Sequence, residues 1–287
     1  MRLCRFGENR LGLVEGTRVK DVTAALDLLP SWRYPLPGFD PLIAQLDQVC
    51  ARVRELAAGC QEVPLEGLKL LSPVASPGKI VAAPVNYAKH LDEVRGDSNL
   101  HHHNEAHLAP IHSIGLFLKA VSSLVGPGEG IQVWHPERRT DHEVELAFVI
   151  GKRAHQVKAA DALQYVAGYS IGLDITIRGS EERSFRKSPD SYTVLGPWLV
   201  TADEIPDPGA LDLSLSVNGE MRQDSNTRFL TLGVAKLIEM ATSFYTLHPG
   251  DVILTGTPEG VSPIVAGDRV VATIQGIGSM SVDVGAI

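Results

Sequence analysis

The chain has 287 residues, 44% hydrophobic and 21% charged, with a net charge of −8. That is enough sequence for one large domain or a domain with an appendage, and the acidic balance excludes the basic footprint of a nucleic-acid or anionic-membrane binder. No apolar run approaches the roughly 20 residues of a membrane span, and the first residues lack a signal peptide's apolar core. Three cysteines without metal-type spacing fit unpaired thiols in a reducing cytoplasm.

With 27 Gly and 18 Pro, the chain is predicted to be rich in loops and strands. Residues 2–6 and 10–15 flank Gly7, Glu8 and Asn9 and read as a hairpin. Between 40 and 58, Ile43, Leu46, Val49, Val53 and Leu56 recur at helical spacing. Proline and glycine between 71 and 78 then place a boundary. It separates a small N-terminal α+β unit, residues 1–70, from a larger unit, residues 71–287. A strand at 79–83 leads into a short helix on which Tyr87, Leu91 and Val94 share a face. On that helix His90 and Glu93, three apart, can meet. Residues 95–113 are polar and aperiodic and read as a mobile, lid-like loop. The histidine run at 101–103 lacks a second spaced ligand pair, so it reads as solvated loop rather than a zinc site.

Glu143 and Glu145 lead into an apolar run at 144–150, predicted as a strand. Residues two apart on a strand face the same side, so the two carboxylates project together. Such a pair repels and is tolerated most easily with a cation between its members. A Glu-x-Glu pair alone is common on solvated strands. Asp174, in a second apolar stretch with Thr176 and Arg178 on its face, favours the metal reading because polar groups there need partners. All-carboxylate ligation points to a hard ion, Mg2+ or Mn2+, rather than zinc. Further on, 183–190 reads as a polar loop. Alternation over 211–217 runs into Asn218 and Gly219 as a hairpin. A helix is predicted at 233–245, and strands at 252–255, 269–275 and 280–284.

Taken in order, these segments resemble the fumarylacetoacetate hydrolase family. The matching residues are Asn86, Tyr87, His90 and Glu93; Phe117 and Lys119; Asp141, Glu143 and Glu145; then Asp174, Thr176 and Arg178. Lys187 and Ser188, Leu195 to Trp198, Asn218 and Gly219, and the stretches 249–253 and 255–258 follow. They cover about three-quarters of the chain. The resemblance implies a mainly β, α+β architecture: a mixed β-sandwich roll with a small N-terminal domain, forming a homodimer. It implies one divalent ion per chain, held by Glu143, Glu145 and Asp174. His90 and Glu93 would activate water, and Lys187 would meet the developing negative charge. Tyr87, Arg178 and Thr255 would hold substrate. Two departures stand out. Glu181 occupies the position of a substrate-contacting Gln in acylpyruvase-like members, which suits a substrate offering a hydrogen-bond donor. Pro84 and Val85 replace the glycine before Asn-Tyr, which suggests a stiffer hinge.

These residue types suit a diketo or keto acid. The ion polarises a carbonyl and stabilises an enolate, a His–Glu pair handles the proton, and a lysine adds positive charge. The leading expectation is a metal-dependent hydrolase cleaving a C–C bond in a diketo acid, in catabolism of aromatic compounds or sugar acids. A β-keto-acid decarboxylase, a hydroxymuconate-type isomerase and a non-catalytic binding relative remain open alternatives.

Overall fold

A computed structural model describes residues 1–102 and 108–287. Among the described residues strands dominate and form three sheets. The largest has twelve strands, and its centre runs Arg2–Phe6, Thr193–Thr201, Val166–Asp174, Val144–Ile150, Val252–Leu254, Ile80–Ala82. Most neighbours are antiparallel, but Val252–Leu254 pairs parallel with Ile80–Ala82. A five-stranded sheet is built from Glu220–Asn226, Asp212–Val217, Arg269–Ile274, Gly278–Ala286 and Ile131–Val133. The third, a small sheet of Thr140–His142, Thr176–Ile177 and Ser262–Pro263, lies beside the carboxylate residues.

The central strands are covered on both faces: every residue of Val144–Ile150 is buried, the acid Glu145 included. Phe148, Leu146 and Ile171 of the large sheet share one core with Leu213, Leu215, Val270 and Ala272 of the five-stranded sheet. The two sheets therefore pack face to face as a sandwich. The predicted N-terminal hairpin forms at Arg2–Phe6 and Arg10–Glu15, and its first strand extends the large sheet by pairing with Thr193–Thr201. Leu3, Leu11, Leu13, Val22, Val49 and Val53 form a separate small core beneath it.

The helix expected at 40–58 is split into Pro41–Ala44 and Leu46–Leu56 by Gln45, at φ −118° and ψ 24°. The apolar period runs across the break, so periodicity alone could not show it. The hairpin turn at Asn218 and Gly219 has positive φ at both residues, 53° and 83°, as a tight two-residue turn requires. The segment predicted as an aperiodic loop at 95–113 is a correction. Its flanks form short helices, Ser98–His101 and Ile111–Ile114, anchored by buried Leu100 and Ile111. Four-residue helices are too short to leave a periodic signature. The middle of that segment, including the last histidine of the 101–103 run, lies outside the described residues. The polar loop at 183–190 is likewise corrected: it contains the helix Arg183–Arg186, and Arg186 and Lys187 are buried.

Candidate active site

The site forms where two antiparallel strands end together. Val144 lies opposite Leu173 and Glu145 opposite Gly172, and the Asp174 amide donates to the Glu143 carbonyl at 3.0 Å. This register sets Asp174 beside the two glutamates. One oxygen from each of Glu143, Glu145 and Asp174 lies within 4.8 Å of the others, and all three residues are buried.

The rest of the cluster is a set of ion pairs. Lys187 Nζ donates to Glu143 Oε2 at 2.7 Å, Asp174 Oδ2 at 2.7 Å and Thr176 Oγ1 at 2.6 Å. Lys119 Nζ donates to Asp174 Oδ1 and, at 2.8 Å, to the Tyr192 carbonyl. Arg178 donates to Glu143 Oε1 at 2.9 Å and Asp141 Oδ2 at 2.7 Å. Burial resists ionisation of Glu143, yet Lys187 and Arg178 hold its carboxyl well below the usual range. Burial also works against the Arg178 charge, but Glu143 and Asp141 raise its pKa.

Glu145 differs. Its carboxylate accepts from the Gly256 amide at 2.6 Å and has no salt bridge to a basic residue among the described residues. Burial, then the charges of Asp174 and Glu143, push its pKa well above the ordinary value. A buried carboxylate with no salt bridge of its own, facing two others, is what a bound cation would relieve. The all-oxygen donor set fits a hard divalent ion, so the residues present suit the metal. Gly256 makes the amide contact feasible. Its φ is +93°, and a Cβ there would lie 2.7 Å from the Asn86 Cβ.

Across the cavity, the helix Ala88–Gly96 carries His90, which is only 4% exposed. His90 Nδ1 meets Glu93 Oε2 at 2.8 Å, and Glu93 Oε1 accepts from the Gly260 amide at 2.9 Å. Glu93 therefore fixes the ring, with the Nδ1 proton directed at it and Nε2 left as the nitrogen that can accept. The cavity is lined by the three acids, His90, Arg178 and Lys187; an apolar wall of Val85, Val94 and Leu100; and Phe117, Arg183 and Arg186.

Three residues expected to hold substrate sit elsewhere. Thr255 is fully buried, and its hydroxyl donates to the Leu146 carbonyl at 2.9 Å, tying two strands together. Thr257, two residues on, lines the cavity instead. Tyr87 is 1% exposed and does not line the cavity; its hydroxyl has no hydrogen-bond partner among the described residues. Glu181 is held through both oxygens by Arg138, each at 2.9 Å, and lines a neighbouring cavity. A carboxylate already spent on a guanidinium is not presented to a substrate hydroxyl in the main cavity. Arg178 lines the cavity, but its ion pairs are to Asp141 and Glu143. Sequence reasoning gave no role to Lys119, Phe117, Arg183 or Arg186. The alternation of Phe117 and Lys119 around exposed Leu118 carried a signal that both face inward.

A family model described as fumarylacetoacetate (FAA) hydrolase C-terminal matches residues 79–285. Over 282 residues the chain is 59% identical to maleylpyruvate hydrolase of Aquipseudomonas alcaligenes, covering 98% of each chain. It is 38% identical to maleylpyruvate hydrolase from Sphingobium sp. SYK-6, crystallised with manganese(II) and pyruvate. That superposition has a TM-score of 0.84 and covers 100% of this chain and 99% of the other. Rattus norvegicus oxaloacetate tautomerase Fahd2a, mitochondrial, is 38% identical over 239 residues, covering 78% of this chain and 72% of the relative. The apposed carboxylates, the face-to-face sheets and these likenesses agree: the chain belongs to the fumarylacetoacetate hydrolase family.

Proposed function

We propose that the protein is a divalent-metal-dependent hydrolase that cleaves the C–C bond of a diketo acid in aromatic catabolism, with maleylpyruvate as its substrate. The observation that carries this is the enclosure of Glu143, Glu145 and Asp174 with the Glu93-held His90 in one cavity. The relative 59% identical to this chain is a maleylpyruvate hydrolase, and the Sphingobium enzyme binds manganese and pyruvate.

Glu143, Glu145 and Asp174 would hold the ion, Mn2+ or Mg2+, which when bound supplies positive charge to polarise a carbonyl and to stabilise an enolate. His90 Nε2 takes a proton from water, and the resulting hydroxide adds to the acyl carbonyl distant from the pyruvyl end. Glu93, on Nδ1, stabilises the imidazolium. The C–C bond then breaks, its electron pair passing into the pyruvyl enolate. The proton on Nε2 is delivered to the enolate carbon, giving pyruvate and maleate. Lys187 and Arg178 hold Glu143 in position throughout. The apolar wall of Val85, Val94 and Leu100 keeps bulk water from the cavity on that side.

The reading includes a homodimer in the cytoplasm. Free cysteines at 4, 50 and 60 support a reducing compartment. Among the described residues, no helix is long and apolar enough to cross a membrane.

The test is turnover of maleylpyruvate by metal-stripped protein resupplied with Mn2+ or Mg2+, with products identified. Release of pyruvate and maleate only with metal is expected. Full activity after stripping would sink the metal requirement. Turnover confined to keto–enol exchange of oxaloacetate would place the protein with the tautomerase relative instead.

A further inference from the structure

The cavity holds more positive charge than its acids consume. Lys187 is spent on Glu143, Asp174 and Thr176, and Arg178 on Asp141 and Glu143. Arg186 is anchored through Nε to the Glu181 carbonyl and through Nη1 to the Ile177 carbonyl. Arg183 is different. It lines the same cavity, and its guanidinium lies over the Phe117 ring at 5.6 Å from the centroid. Among the described residues it makes no ion pair. Burial lowers its pKa, as expected for a cation removed from water without a partner. The nearest acid in sequence, Glu182, is occupied as a helix cap, accepting from the Ser184 amide at 2.7 Å.

A guanidinium placed over an aromatic ring, with no carboxylate bound to it, keeps its planar fork of N–H donors available. That fork matches a carboxylate in a two-point hydrogen-bonded pair. Lys187 and Arg178 are already paired with the acids of the metal site, so a distal carboxylate needs a different cation on the cavity wall. We propose that Arg183, seated on Phe117, is the specificity residue that binds the carboxylate at the far end of the substrate. It would thereby select dicarboxylic diketo acids over those with a neutral tail. The inference rests on the diketo-acid hydrolase reading and adds to it the recognition of the tail. Phe117 acts as the platform that positions the fork, and Arg183 makes the contact.

The experiment compares R183M and R183K with the wild type, all loaded with Mn2+, on maleylpyruvate and on acetylpyruvate, whose tail is a methyl group. In R183M the ratio of kcat/KM for maleylpyruvate to that for acetylpyruvate is expected to fall on the order of a hundredfold, mainly through KM, as loss of a charge-assisted pair implies. R183K, which keeps the charge without the fork, is expected to fall between. An equal loss on both substrates overturns the proposal, because Arg183 then serves the shared pyruvyl end or the fold. If R183M does not fold, the same ratio is read from R183K, and an unchanged ratio there overturns it. Calorimetric binding of maleate against isocrotonate, its cis monocarboxylate counterpart, separates this inference from the hydrolase reading. A wild type that hydrolyses neither keto acid defeats that reading alone. A maleate preference lost in the Arg183 variants still supports the tail contact, and a preference retained in them defeats it.

Discussion

Glu143 and Glu145 are two residues apart, yet their surroundings give them different consequences on neutralisation. Glu145 has no basic partner, so Glu145→Gln is expected to leave the melting temperature of the metal-free protein unchanged or higher while abolishing its increase on adding Mn2+. Glu143→Gln takes a carboxylate from both Lys187 and Arg178, and should cost about 2–3 kcal/mol even without metal. Equal metal-free melting temperatures for the two variants would contradict this asymmetry. Beside them, His142 is fully buried. Gln223 Nε2 donates to the Pro258 carbonyl and its Oε1 accepts from the Val144 amide. The Nδ1 of His142, facing that Oε1, therefore carries the proton, while Nε2 accepts from Ser262. Burial pushes the imidazole down from 6.5 to about 4. The unfolded chain takes up a proton there that the folded chain refuses. Stability from this group is thus complete above about pH 6.5 and falls as pH drops toward 4, by up to about 3 kcal/mol. Urea unfolding from pH 7 to 4.5 checks it, and an identical slope in His142→Asn would assign the acid sensitivity elsewhere. The acids are legible in the sequence because strand alternation fixes their common face. Thr255 and Glu181 are not, because the partners that claim them, the Leu146 carbonyl and Arg138, are distant in sequence.

The helix Ala88–Gly96 makes His90 and Glu93 one unit, since residues three apart share a face and here touch. His90→Ala is expected to lower kcat by on the order of 10²- to 10⁴-fold, with the Mn2+-induced stabilisation retained. The double variant with Glu93→Ala should be little worse than the worse single. Steady-state kinetics read it, and losses that multiply would show that the two residues act separately. This element is legible because nine residues are enough to display a period. The helix Arg183–Arg186 has four, too few for a pattern. Its basic residues read as part of a polar loop because nothing local announces the carbonyls that Arg186 meets or the Phe117 ring beside Arg183. Val85, ahead of the Ala88–Gly96 helix, has φ +42°, a strained value for a β-branched residue. Pro84 and Val85 in place of a glycine suggest a stiffer entry to this helix, but they do not announce the positive backbone angle at Val85.

For the molecule as a whole, the richness in strands and loops follows from short apolar runs and turn residues, whereas the sandwich comes from the family resemblance. Which strand lies beside which does not follow from the runs or the turns. The pairing of Ile80–Ala82 with Val252–Leu254, and of Ile131–Val133 with Gly278–Ala286, joins segments more than a hundred residues apart that no local pattern connects. The acids hold this assembly together as well as forming a site, because Glu143 and Asp174 link neighbouring strands through Lys187. Mn2+ binding only the folded chain should therefore stabilise it by about 2.7 kcal/mol at a hundred times the dissociation constant. Chelator should reverse this. Calorimetric scans across a metal titration measure it, and a melting temperature indifferent to Mn2+ would remove the metal from this site.

The pairing of Arg2 with Val200 also bears on how the chain is made. The first strand leaves the ribosome about 200 residues before its partner, an interval of about 10–40 s at ordinary rates of synthesis. Leu70 and Leu71 cover Phe6 and Arg5 early, but throughout that time the edge at Arg2 and Leu3 is an open template for strand pairing. Nascent chains arrested before residue 200 should therefore recruit holdase chaperones, and those arrested after it should shed them.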